Sequence, residues 1–444
     1  MQTINTTSPG TLVPARRGEL ARLFGAGRVG DIPDGHGRGT VLLGTGGLTS
    51  RLAAGLSYAL AWRGKIVDGR RARLKNILTP LEIRAIEAVV YKQDSWYDGH
   101  PCIVLDYSKT SLVARQIRDE IREIIDELAK FTRENWLPGG AQRFGNTKTF
   151  GVLRGEFSVL PELPVNLRRG LFAEPRTYPA WVRFSGPGPY APPDIEDLGQ
   201  CSVGIKVMGV AGPKLLDDER LTQDFILVSP ASFVTPDIRE NAKLQRWVRA
   251  KAPLAYAINP FDSHLLHMFM QLLYSPVQAN PLEVQYYSNV PFLLGADQAV
   301  QYSLKPREPA RTRIPARPAD DALQDAMVGT VTAAPWTFDF MVQVQTDSHL
   351  MPIEDATVKW PESLSPYVTV ARLHLPAQRF TSDEQLAFAD GLRYNPWHSL
   401  PDHKPLGNSN RARKTMYSEL ARLRQAMNQV HHVEPTGEEQ FPAS

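Results

Sequence analysis

Near the carboxyl end, Ala412, Met416, Leu420, Leu423 and Met427 recur three or four residues apart, a spacing that predicts an amphipathic helix. A second helical stripe runs through Arg115–Leu128, where Ile and Leu share one face and charged residues the other. Between them the pattern shifts to short strand-like runs. These are Phe150–Leu160, Trp181–Ser185, Gly204–Val210, Asp224–Val228, pieces of Asn280–Pro306, and Pro335–Gln345, where alternation is clearest. Residues 237–276 read as mainly helical, Asp383–Gly391 as a short helix, and Asn395–His403 as an irregular loop. Many short strands with helices after them predict an α+β domain: an antiparallel barrel with helical additions.

Ahead of it, a helix-like run over Leu52–Trp62, the turn signal Asp98-Gly99 and strands around Ala85–Tyr91 and Cys102–Tyr107 predict a small α/β extension. The expected organisation is a flexible leader over 1–47, a module over 48–130, the main domain over 131–434 and a polar, frayed tail over 435–444. Gly64-Lys-Ile-Val-Asp68, Ser95-Trp-Tyr-Asp-Gly99 and Ile103-Val-Leu-Asp-Tyr-Ser-Lys-Thr-Ser111 resemble the opening of small bacterial lipocalin-like proteins, which implies a partial ligand-binding or docking module. An extension that packs on the main domain is the other reading.

Composition narrows little. Of 444 residues, 42% are apolar and 22% charged, with a net charge of +3, so nothing global points to nucleic acid. Cys102 and Cys201 form neither a disulfide framework nor a zinc pattern, which fits a cytoplasmic location; Cys201 reads as a core thiol. No signal peptide is visible, and Thr40–Trp62 is interrupted by Arg51 and several glycines, so it fails as a membrane span.

Candidate chemistry centres on Arg413 and Tyr417, four apart and therefore on one face of the predicted helix. A guanidinium beside a phenol favours the phenolate, the form in which tyrosine binds a metal such as haem iron. A plain surface or core helix explains the same pair. His264 and His267 lack a partner ligand, His398 reads as structural, and Asp194, Glu196 and Asp197 read as a solvated loop rather than a calcium site.

A run of motifs across roughly 145–428 resembles the catalase-related haem proteins, specifically their compact bacterial branch. It comprises Thr177-Tyr-Pro-Ala-Trp-Val-Arg-Phe-Ser185, Ile205-Lys-Val-Met-Gly-Val-Ala-Gly212, Leu221-Thr-Gln-Asp-Phe-Ile-Leu227, Pro281-Leu-Glu-Val-Gln-Tyr-Tyr287, Tyr394-Asn-Pro-Trp-His398 and Asn410-Arg-Ala-Arg413 with Tyr417. The resemblance implies an eight-stranded antiparallel barrel of catalase type holding haem b (iron protoporphyrin IX). Tyr417 would be the iron ligand, Arg413 would keep it ionised, and Arg183 would meet a haem propionate. The family's distal histidine would fall at Phe150, and no histidine occurs between 101 and 263. Its distal asparagine would fall at Val228-Ser229. Thr149 is then the nearest hydroxyl, as in the related allene oxide synthases, which keep the histidine.

Splitting hydrogen peroxide needs a base beside the iron, worth about 10²–10⁴ in rate. A phenyl ring supplies none. The expectation is a haem enzyme acting on an organic or lipid hydroperoxide or another oxygenated small molecule, as oxidoreductase or as hydroperoxide isomerase or lyase. The alternative is a non-catalytic haem-binding or sensor protein. An apolar small-molecule substrate, peripheral membrane contact and homo-oligomerisation complete the partners that this resemblance leaves open.

Overall fold

The computed structural model describes residues 30–38, 62–78, 83–94, 101–106, 112–134, 140–143, 145–186, 194, 200–249 and 277–441. The chain divides into two compact units, Met1–Asp119 and Glu120–Ser444. In the first, β1 (Gly35–Arg38), β2 (Trp62–Asp68), β3 (Arg73–Leu78), β4 (Ile83–Asp94) and β5 (Pro101–Asp106) form an antiparallel meander in chain order. Leu74, Ala88 and Val90 are its buried centre, with Ile32, Val67 and Ile103 packed against them. Strand β1 lies within the glycine-rich leader, where composition offered no strand pattern. The helix expected over Leu52–Trp62 falls outside the described residues except at Trp62, which opens β2; the Asp98-Gly99 turn and the His264/His267 pair also fall outside them.

The second unit is a closed barrel. Strands β6 (Thr149–Val159), β7 (Thr177–Ser185), β8 (Ser202–Met208), β9 (Thr222–Val228) and β10 (Tyr286–Tyr287) follow one another. Then β12 (Gln298–Pro306), β13 (Trp336–Val344) and β14 (Val368–Leu375) return the sheet to β6. Every pairing is antiparallel, and short β10 closes the ring by bonding both β9 and β12. An extra strand, β11 (Phe292–Leu294), hangs on β12 as a hairpin. Five helices complete the described structure: α1 (Leu112–Glu134), α2 (Ile238–Arg249), α3 (Ala322–Ala333), α4 (Asp383–Gly391) and α5 (Gly407–Met427).

Period-two alternation sends one set of side chains into the barrel. Phe157 meets Phe340 with ring centroids 5.1 Å apart, Phe225 meets Phe340 at 4.7 Å, and Tyr302 lies 5.1 Å from Phe225. Truncating one such ring to alanine typically costs about 3–5 kcal/mol. The outer face of β6–β8 is also apolar where Val152, Trp181 and Met208 pack beneath Ala389 of α4 and Leu392 just after it. Gly204 is required there, because a Cβ on it would stand 2.9 Å from the Tyr394 ring.

Residues 434–441 are not frayed. Glu434 accepts from the Leu221 amide, and Glu439 accepts from Trp181 Nε1 at 2.8 Å. Arg154 donates to the carbonyls of Gly437 and Glu439, and Phe441 sits 5.7 Å from Trp181 and 5.1 Å from Phe388. Polarity misled here because the acidic groups are engaged by amide and indole donors on the second unit. Removing residues 434–444 should therefore lower stability by about 2–4 kcal/mol and red-shift tryptophan emission. Unchanged melting and emission would contradict the docking.

Candidate functional site

Helix α5 extends the predicted periodic stretch by a turn at its N-terminal end and stops with it at Met427. Gly407 starts it at φ +81°, where a Cβ would stand 2.6 Å from the Ile353 carbonyl. Ala412, Met416 and Leu420 face Ile124 and Leu128 of α1 and Ile238 and Ala242 of α2. The far end is pinned to α4: Arg424 donates to the carbonyls of Asp390 and Leu392, and Gln425 Nε2 donates to Gly391 at 2.7 Å. Cationic and amide donors thus satisfy carbonyls that the end of α4 leaves open.

Tyr417 and Arg413 are both half-buried on this helix. The Tyr417 hydroxyl has no hydrogen-bond partner among the described residues. Arg413 donates to Asn410 Oδ1 at 3.3 Å, not to the phenol. The pair shares a helix face without touching.

Arg183 lies on β7, in a register row with Val152 and Gly204 on the outer wall. It is 6% exposed. Its donors go to Thr149 Oγ1 (3.1 and 2.8 Å), Ser185 Oγ (2.9 Å) and the Asn146 carbonyl (2.7 Å). All are neutral oxygens, and no carboxylate pairs with it among the described residues. Burial, and then the neighbouring Arg143, push its pKa down to about 9. A buried cation whose hydrogen bonds all go to neutral oxygens fits an anionic group such as a propionate.

Thr149, Ser185, Ser202 and Val228 occupy one register row at the same end of β6–β9, which places Thr149 and the Val228-Ser229 pair at that end of the sheet. Thr149 is engaged by Arg183. Ser229, just past β9, accepts from the Cys201 amide at 3.0 Å, and Cys201 is buried as expected. Phe150 is the extra residue of a β-bulge between Thr149 and Gly151, 1% exposed within the barrel's core cluster. Asp194 is buried, not a solvated loop residue: it meets Lys148 Nζ at 2.7 Å and caps the Leu323 amide at 2.8 Å.

Pattern reading missed a buried charge network on the outer wall. Lys206 and Asp224 are register partners on β8 and β9, and Lys206 Nζ lies 2.7 Å from Asp224 Oδ1 and bonds Glu219 as well. His398 places Nδ1 2.9 Å from Asp224 and Nε2 3.0 Å from Asp218, which also meets Arg393 at 3.4 Å. Three cations balance three carboxylates. Burial opposes the imidazolium, but hydrogen bonds to Asp218 and Asp224 outweigh it and raise the pKa of His398 to about 9. The hydrogen bond from His398 likewise holds the Asp218 carboxyl well below its usual range. Glu219, Asp224 and His398 each bring one ligand atom within 4.8 Å of the others. The Lys206 ammonium already occupies the space between the carboxylates, so the group is a closed ion network rather than a metal centre. His403, by contrast, is neutral. Burial lowers its pKa to about 3, and its Nε2 accepts from Leu171 N at 2.8 Å, so Nδ1 carries the proton toward Tyr302 Oη.

The fold has counterparts of known structure. The chain matches a fungal catalase at 16% identity and TM-score 0.50, over 69% of this chain and 62% of that one. It matches catalase A from Saccharomyces cerevisiae at 16% identity and TM-score 0.53, over 72% and 68%. It spans less than two thirds of the fungal enzyme's length. At this identity the likeness shows a catalase-like fold. No protein-family model and no curated protein matches the sequence. Among the described residues, no helix is long and apolar enough to cross a membrane.

The His398 network carries a pH signature. Its folded pKa of about 9 exceeds the ordinary 6.5, so the stability it contributes is whole below pH 6.5 and is lost as pH rises through about 9. The thermal midpoint of the protein should fall across that window. His398→Gln should start lower and flatten the profile; an unchanged slope would contradict the assignment.

Proposed function

We propose that the protein binds haem b through Tyr417 and acts on an organic or lipid hydroperoxide, with little dismutation of hydrogen peroxide. The observation that carries this reading is Arg183, a buried guanidinium with no carboxylate partner among the described residues, at the end of a catalase-like barrel. Tyr417, its phenol free of hydrogen bonds among the described residues, would hold the iron. Arg413, one turn away on the same helix face, would be its cationic neighbour. Bound haem would supply redox chemistry at peroxide oxygen.

The protein's own groups then decide which peroxide reacts. A proton must pass from one peroxide oxygen to the other for hydrogen peroxide to be dismuted efficiently. Phe150 offers no proton acceptor and packs in the core; Thr149 holds Arg183, and Ser229 holds the Cys201 amide. Engaged hydroxyls and a phenyl ring leave a substrate to be selected by shape and polarity, which favours an apolar one.

The same commitments support a second reading, a haem-binding or sensor protein without turnover. Haem-loaded protein tested with cumene hydroperoxide and hydrogen peroxide separates the two. The enzyme reading expects kcat/KM for cumene hydroperoxide to exceed that for hydrogen peroxide by about ten-fold or more. Preferred hydrogen peroxide would overturn it, and a ligand-responsive haem spectrum without any turnover selects the sensor.

A further inference from the structure

Between the first turn of α3 and the loop 312–319 lies a cavity of about 450 Å³. That is the scale of small-molecule sites, about 300–1,000 Å³. Val277, Ala279, Ile314, Leu323 and Ala326 supply apolar wall. Arg313 and Arg317 line the same cavity, both exposed and in no ion pair among the described residues. Of its two carboxylates, Asp194 is engaged by Lys148 at 2.7 Å, and Asp325 is exposed on the first turn of the helix. The cavity therefore presents two guanidinium groups, in no ion pair among the described residues, beside a hydrocarbon wall.

The helix terminus does not provide the anion site. Asp194 takes the Leu323 amide at 2.8 Å and the Asp321 carbonyl takes the Asp325 amide at 2.8 Å. An anion entering here would meet the two guanidinium groups, whose paired N–H donors suit a carboxylate.

We propose that this cavity binds an amphipathic monocarboxylate, its chain against Ile314, Leu323 and Ala326 and its head on Arg313 and Arg317. The inference goes beyond the haem reading and does not need it. The site adjoins the start of β6 through ordered contacts. Lys148 pairs with Asp194 and with Asp321, and Gln324 Nε2 donates to the Phe150 carbonyl at 2.8 Å. An occupant would thus lie behind the strand end that carries Thr149 and Phe150.

Equilibrium dialysis of the full chain with radiolabelled dodecanoate and dodecanol tests it. Dodecanoate should bind more tightly than the alcohol. The double variant Arg313→Ala/Arg317→Ala, altered only at exposed positions, should weaken dodecanoate by about ten-fold and leave dodecanol unchanged. Ala326→Phe, with its fold checked by circular dichroism, should lose both. No retention of dodecanoate, equal loss of acid and alcohol in the arginine variant, or normal binding by folded Ala326→Phe would each overturn the proposal.

Discussion

A lysine ammonium shut away from water on the barrel wall is the constraint on which the arrangement of the candidate site rests. Lys206 is fully buried, and so are Glu219, Asp224 and His398 around it. Each charge is tolerable only because the others are in place; removing one partner of a buried pair typically costs about 3–5 kcal/mol. The network therefore holds its members in one geometry, and those members come from three places: strands β8 and β9, the loop that precedes β9, and the segment after α4.

That last segment passes the constraint on to α5. The Asn395 amide donates to Asp224 at 2.9 Å, while Asn395 Nδ2 reaches the Lys414 carbonyl at 3.3 Å and Ser418 Oγ at 3.1 Å. Trp397 Nε1 donates to the Asn410 carbonyl at 2.6 Å, and Lys414 Nζ stands 4.8 Å over the Trp397 ring. Lys414 and Ser418 are immediate neighbours of Arg413 and Tyr417. The barrel wall thus sets where the phenol stands through two side chains and no flexible linker. Arg183, two residues from Trp181 on the same face of β7, directs its hydrogen bonds to neutral oxygens.

How much of this could be read from the chain depends on the kind of signal. Alternation located β6–β9 and β13 because each strand of the closed barrel has one wet or helix-covered side and one packed side, whereas β14 was not anticipated. Heptad-like spacing located α1 and α5, and the Arg413–Tyr417 face followed from helix geometry alone. Long-range polar packing left no local trace. Asn395–His403 looks irregular in sequence because its backbone groups bond to side chains far away, such as Gln223 and Asp224. Asp194 and Glu439 look like solvated acids because polarity says nothing of the buried amide or indole that receives them. Phe150 was visible as a missing imidazole by resemblance, but its bulge and its burial in the barrel core were not.

The account stands or falls on the bond from Tyr417 to iron. The direct measurement is the absorption and electron paramagnetic resonance spectrum of the protein titrated with ferric haem, compared with Tyr417→Phe. The account predicts stoichiometric uptake with a high-spin, phenolate-ligated ferric spectrum, and loss of that signature in the variant while the fold persists. Failure of the wild-type protein to bind haem, or an identical spectrum in Tyr417→Phe, would contradict it.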